Sequence, residues 1–244
     1  MHANIIVEEG KSTLRLGKRT LRAVLLRAGY DIVRVAKPRP TPRVQFSCTD
    51  LSEYRRTTNS IPGMISPEAA ELLYGIAVVQ NIEGDILEIG SWQGKSTSYL
   101  ARAVMDSKNG HVFAVDHFMG NVRKESIYFV DGGGSANLQV QFERNMHTLN
   151  LHDYITLFPC HSEKAYPSLA NKVLRLLFVD GDHTYEGAKK DIELFCPLVR
   201  IGGVVIFDDF NNTSPGVVLA AEQWVKTQCP RTAFVNGNML VCKI

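Results

Sequence analysis

The sequence predicts an α/β fold, a mostly parallel sheet with helices on both faces, and three observations carry that expectation. Short apolar runs at 85–89, 111–116, 154–158, 174–180 and 202–207 alternate with helix-length segments, the order that builds a crossover-connected sheet. The first run breaks into a glycine turn and resumes as a helix, Asp85-Ile-Leu-Glu-Ile-Gly-Ser-Trp-Gln-Gly-Lys-Ser-Thr97. The last two runs each end in acids, Asp180-Gly-Asp182-His183 and Asp208-Asp209. In an open parallel sheet, ligands bind at the carboxyl ends of strands, where all of these residues would gather.

Length and composition set the frame. At 244 residues there is room for one sizeable core and a small appendage. With 45% hydrophobic and 21% charged residues the composition is that of a soluble globular chain. Cys48, Cys160, Cys196, Cys229 and Cys242 are odd in number and scattered, with no C-x-x-C pair. That pattern points to a reducing compartment and away from a disulfide or zinc framework. No run approaches the roughly 18 apolar residues of a membrane span, and the start of the chain lacks a signal-peptide core, so the expected location is cytoplasmic.

The net charge of +2 conceals an asymmetry. Residues 1–43 hold ten Lys and Arg against three acids, a net of +7, and the rest holds 17 against 22, a net of −5. Residues 11–36 read as helical, with Leu14, Leu21, Val24, Leu25 and Ala28 near one face and Arg15, Lys18, Arg19 and Arg22 on others. A basic amphipathic helix can bind an anionic membrane surface or nucleic acid. The near absence of aromatic anchors favours a helix that packs on the body or on a second subunit, so a homo-oligomer stays open and no nucleic-acid partner is expected. Lys37-Pro-Arg-Pro-Thr-Pro-Arg43 reads as a stiff linker, which divides a helical arm (1–43) from the body (44–244).

Within the body, Ser66-Pro67-Glu68 starts a helix running to about Val79: Ser as N-cap, Pro at the first position, an acid in the first turn. Ile86, Leu87 and Ile89 make the opening strand, and the spacing Glu88-x-Gly90-x-x-x-Gly94 departs from the G-x-G-x-x-G of dinucleotide binders. One glycine fewer and an acid just before the turn suit a ligand with a cationic amino group and no pyrophosphate. The next strand ends in Asp116, where nucleotide-type folds place an acid on ribose hydroxyls. Residues 117–136, with Gly132-Gly-Gly134, read as a lid or as simple surface disorder. Helix signals return from Leu138 to Leu149, then a strand to Phe158 delivers Cys160-His161-Ser162, and Glu163–Leu169 is a short helix. Strands 174–180 and 202–207 carry four carboxylates and His183 to one crevice. Clustered like charges repel unless a cation binds them, and a few carboxylates suit Mg²⁺ best. Ser214-Pro215 starts the last helix, to about Gln228, and Asn236-Gly-Asn238 is a hairpin turn between 232–235 and 239–243.

Phe178-Val-Asp-Gly-Asp-His-Thr-Tyr-Glu-Gly, Asp191, Leu194, Pro197-Leu198, Gly202-Gly203 and Phe207-Asp-Asp resemble the metal-dependent small-molecule O-methyltransferases, above all those acting on sugars of macrolide and aminocoumarin antibiotics, with the catechol type more distant. The resemblance runs from about Ser66 to the end of the chain. It implies a Rossmann-like class I methyltransferase sheet with an antiparallel last strand, S-adenosylmethionine as methyl donor and Mg²⁺ as cofactor. By it, Asp180, Asp208 and Asp209 match the metal ligands. Glu88, Gly90 and Ser91 match the methionine-binding loop, Asp116 the ribose acid and Ser162 the adenine-side contact. Trp92, Gly94, His117 and His161 fall in the same cofactor site. The family's general base varies between the positions of His183 and Asp182. Both are present here, and His183 is favoured because an imidazole titrates near neutral pH.

The acceptor expected from these features is a hydroxyl of a small molecule, a sugar first and a polyphenol second. A nicotinamide oxidoreductase is disfavoured by the missing glycine and the carboxylates. A hydroxylase-like enzyme or a non-catalytic cofactor binder with a structural metal is the remaining alternative.

Overall fold

The computed structural model describes residues 48–120 and 134–244, apart from the side chains of 134–136. The predicted arm, its linker and most of the 117–136 insertion lie outside these residues. The described chain runs α1 (Leu51–Thr58), α2 (Pro67–Val79), β1 (Asp85–Ile89), α3 (Lys95–Ser107), β2 (Val112–Val115), α4 (Gly134–Thr148), β3 (Ile155–Phe158), α5 (Ser162–Leu169), β4 (Leu174–Val179), α6 (Tyr185–Phe195), β5 (Val199–Phe207), α7 (Pro215–Gln228), β6 (Thr232–Asn236) and β7 (Met239–Lys243). One seven-stranded sheet has the order β3-β2-β1-β4-β5-β7-β6. The first five strands are parallel, and β7 runs antiparallel between β5 and β6. The α/β architecture with its antiparallel insert is therefore present as expected. Among the described residues no helix is long and apolar enough to cross a membrane.

Strand alternation divides the core in two. Leu87, Ile89, Leu177, Val179, Val205 and Phe207 face α5, α6 and α7, while Ile86, Leu176, Phe178, Val204 and Ile206 face α2 and α3. Each such Leu, Ile or Phe contributes about 1.5–3 kcal/mol through apolar burial. Ser66 caps α2 as the sequence implied, its Oγ accepting from Ala69 N–H at 3.1 Å, and the structure adds Thr184 as the cap of α6, its Oγ1 accepting from Gly187 N–H at 3.0 Å. Helix α1, capped by Asp50, lies in a stretch where no element was expected. Buried Arg175, on β4, donates to the carbonyls of Ala77, Gly84 and Asn109, tying the segments that enter the amino end of the sheet.

Candidate active site

The central strands break together, and their last ladder bonds align the site. Beyond the strand ends, Gly90 N–H donates to Val115 O (2.9 Å), Asp116 N–H to Phe158 O (3.2 Å), Asp180 N–H to Ile89 O (2.8 Å) and Asp208 N–H to Val179 O (2.9 Å). Gly90, Asp116, Asp180 and Asp208 thus stand side by side on the carboxyl edge. At Gly90 φ is +88°, and a Cβ there would lie 1.8 Å from the Asp180 carbonyl oxygen, so only glycine fits. Trp92, Phe118 and Asp209 also have positive φ, 42°, 56° and 53°. All three follow strands at this edge, where backbone strain commonly accompanies function.

One crevice opens over β1, β2 and β4. Its wall includes Gly90, Trp92, Asp116, His117, His161 and Ser162, six of the nine residues expected to hold the cofactor. Glu88, Ser91 and Gly94 are not on that wall. Asp116 accepts from the N–H groups of Ser91 (2.9 Å), Trp92 (2.7 Å) and Phe118 (2.6 Å), so the acid at the end of β2 holds the glycine loop in shape. Glu88 lies behind the loop, fully buried on the α3 side, and accepts from Ser91 Oγ (2.9 Å) and Thr97 Oγ1. Its Oε1 has no hydrogen-bond partner. Burial pushes its pKa up to about 7, and the hydroxyls of Ser96, Thr97 and Ser91 only partly oppose this. Gly94, at φ +87°, begins α3 against Met146 and Phe142. The rings of His117 and His161 lie 4.6 Å apart at 35°.

By resemblance Ser162 was expected in the cofactor site, and Asp191 had no role beyond its place in a motif. Asp191 is 4% exposed and accepts from Ser162 Oγ at 2.5 Å. Burial raises its pKa to about 6. A signal was there to read: 188, 191, 192 and 195 form the buried stripe of α6, and an acid in such a stripe needs a partner.

A second crevice opens over β4, β5 and the β6–β7 turn, and Asp180, Asp182, His183, Asp208 and Asp209 all line it. Met64, Asp180, Asp182 and His183 belong to both crevices, so the two meet there. His183 Nε2 donates to Asp209 Oδ2 at 2.9 Å. One ligand atom from each of Asp180, His183 and Asp209 lies within 4.8 Å of the others, and Asp208 is outside that group. Asp182 accepts from Thr184 N–H at 2.8 Å, which ties it to the start of α6.

The charges are mutually opposed. Burial, then Asp208 and Asp209, push the Asp180 carboxyl well above the usual range. Burial also carries Asp208 up to about 6, while the His183 hydrogen bond keeps Asp209 low. That same bond to Asp209 holds the His183 imidazolium above its ordinary pKa. A site short of positive charge at its acids fits a divalent cation.

Comparisons with known proteins bear on the family and the fold. The profile of the methyltransferase domain family matches residues 87–210. The chain is 26% identical over 202 residues to the demethyldecarbamoylnovobiocin O-methyltransferase of Streptomyces niveus, covering 72% of this chain and 75% of that one. It is 25% identical over 147 residues to an uncharacterized protein of Acanthamoeba polyphaga mimivirus, covering 57% of this chain and only 58% of that protein's length. The fold superimposes on the O-methyltransferase NovP with a TM-score of 0.62 at 20% identity, over 74% of this chain and 81% of that one. It also superimposes on a TDP-rhamnose 3′-O-methyltransferase of calicheamicin biosynthesis, with a TM-score of 0.54 at 17% identity, over 81% and 97% of the two chains.

Proposed function

The chain belongs to the methyltransferase domain family, and from that premise we propose that it transfers a methyl group from S-adenosylmethionine to a hydroxyl of a small molecule, a sugar unit, with Mg²⁺ as cofactor. The observation that carries this reading is the junction of the two crevices at Asp180, Asp182 and His183. A donor on one side and an acceptor on the other would face each other across these residues.

The residues fit both groups. Glu88 lies behind the glycine loop with an orphaned oxygen, and its charge would act on the amino group of a methionine moiety across the loop and not by contact. Asp116 keeps acceptor capacity for ribose hydroxyls beyond its three backbone bonds. His117, His161 and Ser162 line the part of the crevice left for the adenine, with Asp191 holding Ser162. Asp180, Asp208 and Asp209 are the proposed metal ligands. Magnesium bound there would offset the carboxylates and lower the pKa of an acceptor hydroxyl.

A cation held by Asp209 would compete with the His183 hydrogen bond, and the neutral imidazole so released would take the hydroxyl proton. The acceptor oxygen bonds to the methyl carbon as the sulfur–methyl bond breaks, leaving neutral S-adenosylhomocysteine. Asp182 is the weaker base candidate because its carboxylate already serves the Thr184 amide. The cluster of Asp180, His183 and Asp209 favours a second reading, in which His183 is a ligand and the metal is one that accepts nitrogen, such as Mn²⁺. Support for an oxygen acceptor comes from the Streptomyces niveus relative, an O-methyltransferase, and support for a sugar from the TDP-rhamnose 3′-O-methyltransferase that shares the fold.

The test is calorimetric titration of S-adenosylmethionine and of Mg²⁺ into wild type, Asp180→Asn/Asp209→Asn and His183→Ala. Wild type is expected to bind both, and the double variant to keep the cofactor but lose the metal. Metal loss in His183→Ala as well selects the second reading. Wild type that binds no S-adenosylmethionine ends the proposal.

A further inference from the structure

The two edges of the sheet are finished differently. β3 closes one edge, with Ile155, Leu157 and Phe158 half-buried against the core. β6 closes the other, and all five of its residues are exposed, Phe234 at 46% and Val235 at 54%. Beside it, Met239 to Cys242 of β7 are buried. Phe234 pairs with Val241 and Val235 with Leu240, which pack in the cores on opposite sides of the sheet. Phe234 and Val235 therefore stand on opposite faces, and β6 is bare on both. Among the described residues no strand pairs with its outer edge.

An open edge is a template for another strand, and chains normally guard it with a charge, a proline or a bulge. Residues 232–236, Thr-Ala-Phe-Val-Asn, hold no charge and no proline. Their register with β7 runs unbroken from Thr232 to Asn236. The nearest guards, Pro230 and Arg231, lie just before the strand.

The strand is also complementary to itself. A twofold axis perpendicular to a sheet keeps each face on its own side, and residues opposite each other must share a face. In such a pairing of two copies, one residue of β6 must therefore lie opposite itself. Centred on Phe234, the pairing matches the whole strand: Thr232 with Asn236, Ala233 with Val235, and the two Phe234 rings as an aromatic cross-strand pair. The same register sets Arg231 of each copy opposite Gly237 of the other, on the turn that borders the second crevice. The two Arg231 side chains are then six residues apart along the strands, about 20 Å, farther than charges act through salt. No like charges meet.

We infer that β6 is the interface of a twofold dimer of this chain, in which it pairs antiparallel with the β6 of a second copy and the sheet continues from one copy into the other. The pairing needs neither cofactor nor metal, so it stands or falls apart from methyl transfer.

Sedimentation equilibrium of the full chain at about 100 μM, with Phe234→Lys/Val235→Lys beside it, tests this. Wild type is expected as a dimer. The variant opposes like charges across the axis, and its dissociation constant should rise at least about 30-fold. Both side chains are exposed, so the circular dichroism and thermal midpoint of the diluted variant should match those of diluted wild type. Oxidation reads the register in a background with exposed Cys48 and Cys229 replaced by serine. There Phe234→Cys, opposite itself, should form an interchain disulfide at least about tenfold faster than Thr232→Cys, which faces Asn236. Wild type that stays monomeric overturns the inference and leaves the edge to a strand of another protein. A dimer that survives the two lysines overturns it as well and places the interface elsewhere on the chain. Equal disulfide rates at the two positions overturn the pairing about Phe234.

Discussion

The two crevices share a floor and differ in how their walls are made. The cofactor wall is built from main chain: Asp116 gathers three amide protons, and Gly90 lets the β1 loop lie against the Asp180 carbonyl. The proposed acceptor wall includes exposed side chains on loops, with Asn212, Asn236 and Asn238 uncommitted. A wall of satisfied backbone holds its shape before the ligand arrives and suits one constant ligand. A wall of free amides gives little shape and much hydrogen-bonding choice, and it can change residue by residue without disturbing the sheet.

The sharpest way to break this contrast is Gly90→Ala. A methyl group 1.8 Å from the Asp180 carbonyl oxygen, at φ +88°, forces two strands apart. The expected loss is about 3 kcal/mol or more, seen as a lower urea midpoint, with cofactor binding abolished. A midpoint within experimental error of wild type would mean the loop is not the rigid element described. Asp116→Ala comes next. Three amide protons lose their acceptor, and cofactor affinity should fall by about 1–3 kcal/mol, or about 5- to 150-fold, in calorimetry, with metal binding retained.

The buried acids sharpen the comparison through pH. Asp191 has a folded pKa of about 6, above its unfolded value, so its favourable contribution is complete below pH 3.8 and is lost as pH rises through 6. Asp191→Asn keeps an acceptor for Ser162 Oγ and removes that loss. Its midpoint should exceed that of wild type at pH 8 and converge on it at pH 4, measured by thermal melts across the range. Glu88, raised to about 7, acts in the same direction in the free protein. A bound cationic amino group favours its ionised form, so S-adenosylmethionine affinity should rise between pH 6 and 8 and flatten in Glu88→Gln. The smallest effect is expected at Gly237→Ala. Nothing lies within 4 Å of the added methyl, and only φ +56° opposes it. A cost of about 1 kcal/mol should appear with unchanged cofactor affinity and a shifted acceptor KM.

Much of this was legible in residues because it was local. The Ser66 cap, the Gly90 turn and the Asn236–Asn238 hairpin depend on neighbours in sequence, and the apolar runs at 85–89 and 174–179 name their own strands. The acids at the strand ends followed from the parallel sheet, since adjacent strands must bring Asp180 and Asp208 together. Helix α1 was missed because its residues are mostly polar and its packing is long-range: Tyr54 donates to the Ser98 carbonyl and meets the Tyr99 ring edge-on. Met64 carries no local signal at all, yet it lines both crevices.

The sequence by itself determined the order of elements, the place where the sheet opens to a ligand and the acidic character of that opening. Periodicity, caps and turn residues act within a few positions of themselves, so they can be read from a string of letters. Only the tertiary structure decided that Asp116 serves the glycine loop as well as any ribose, and that Glu88 keeps an orphaned oxygen. It alone decided that His183 leans on Asp209 and that Asp191 reaches Ser162 from another helix. Each of these is a hydrogen bond, made or missing, between groups far apart in the chain or in side-chain direction. Burial and distance, which set its strength, exist only once the sheet has closed on its helices.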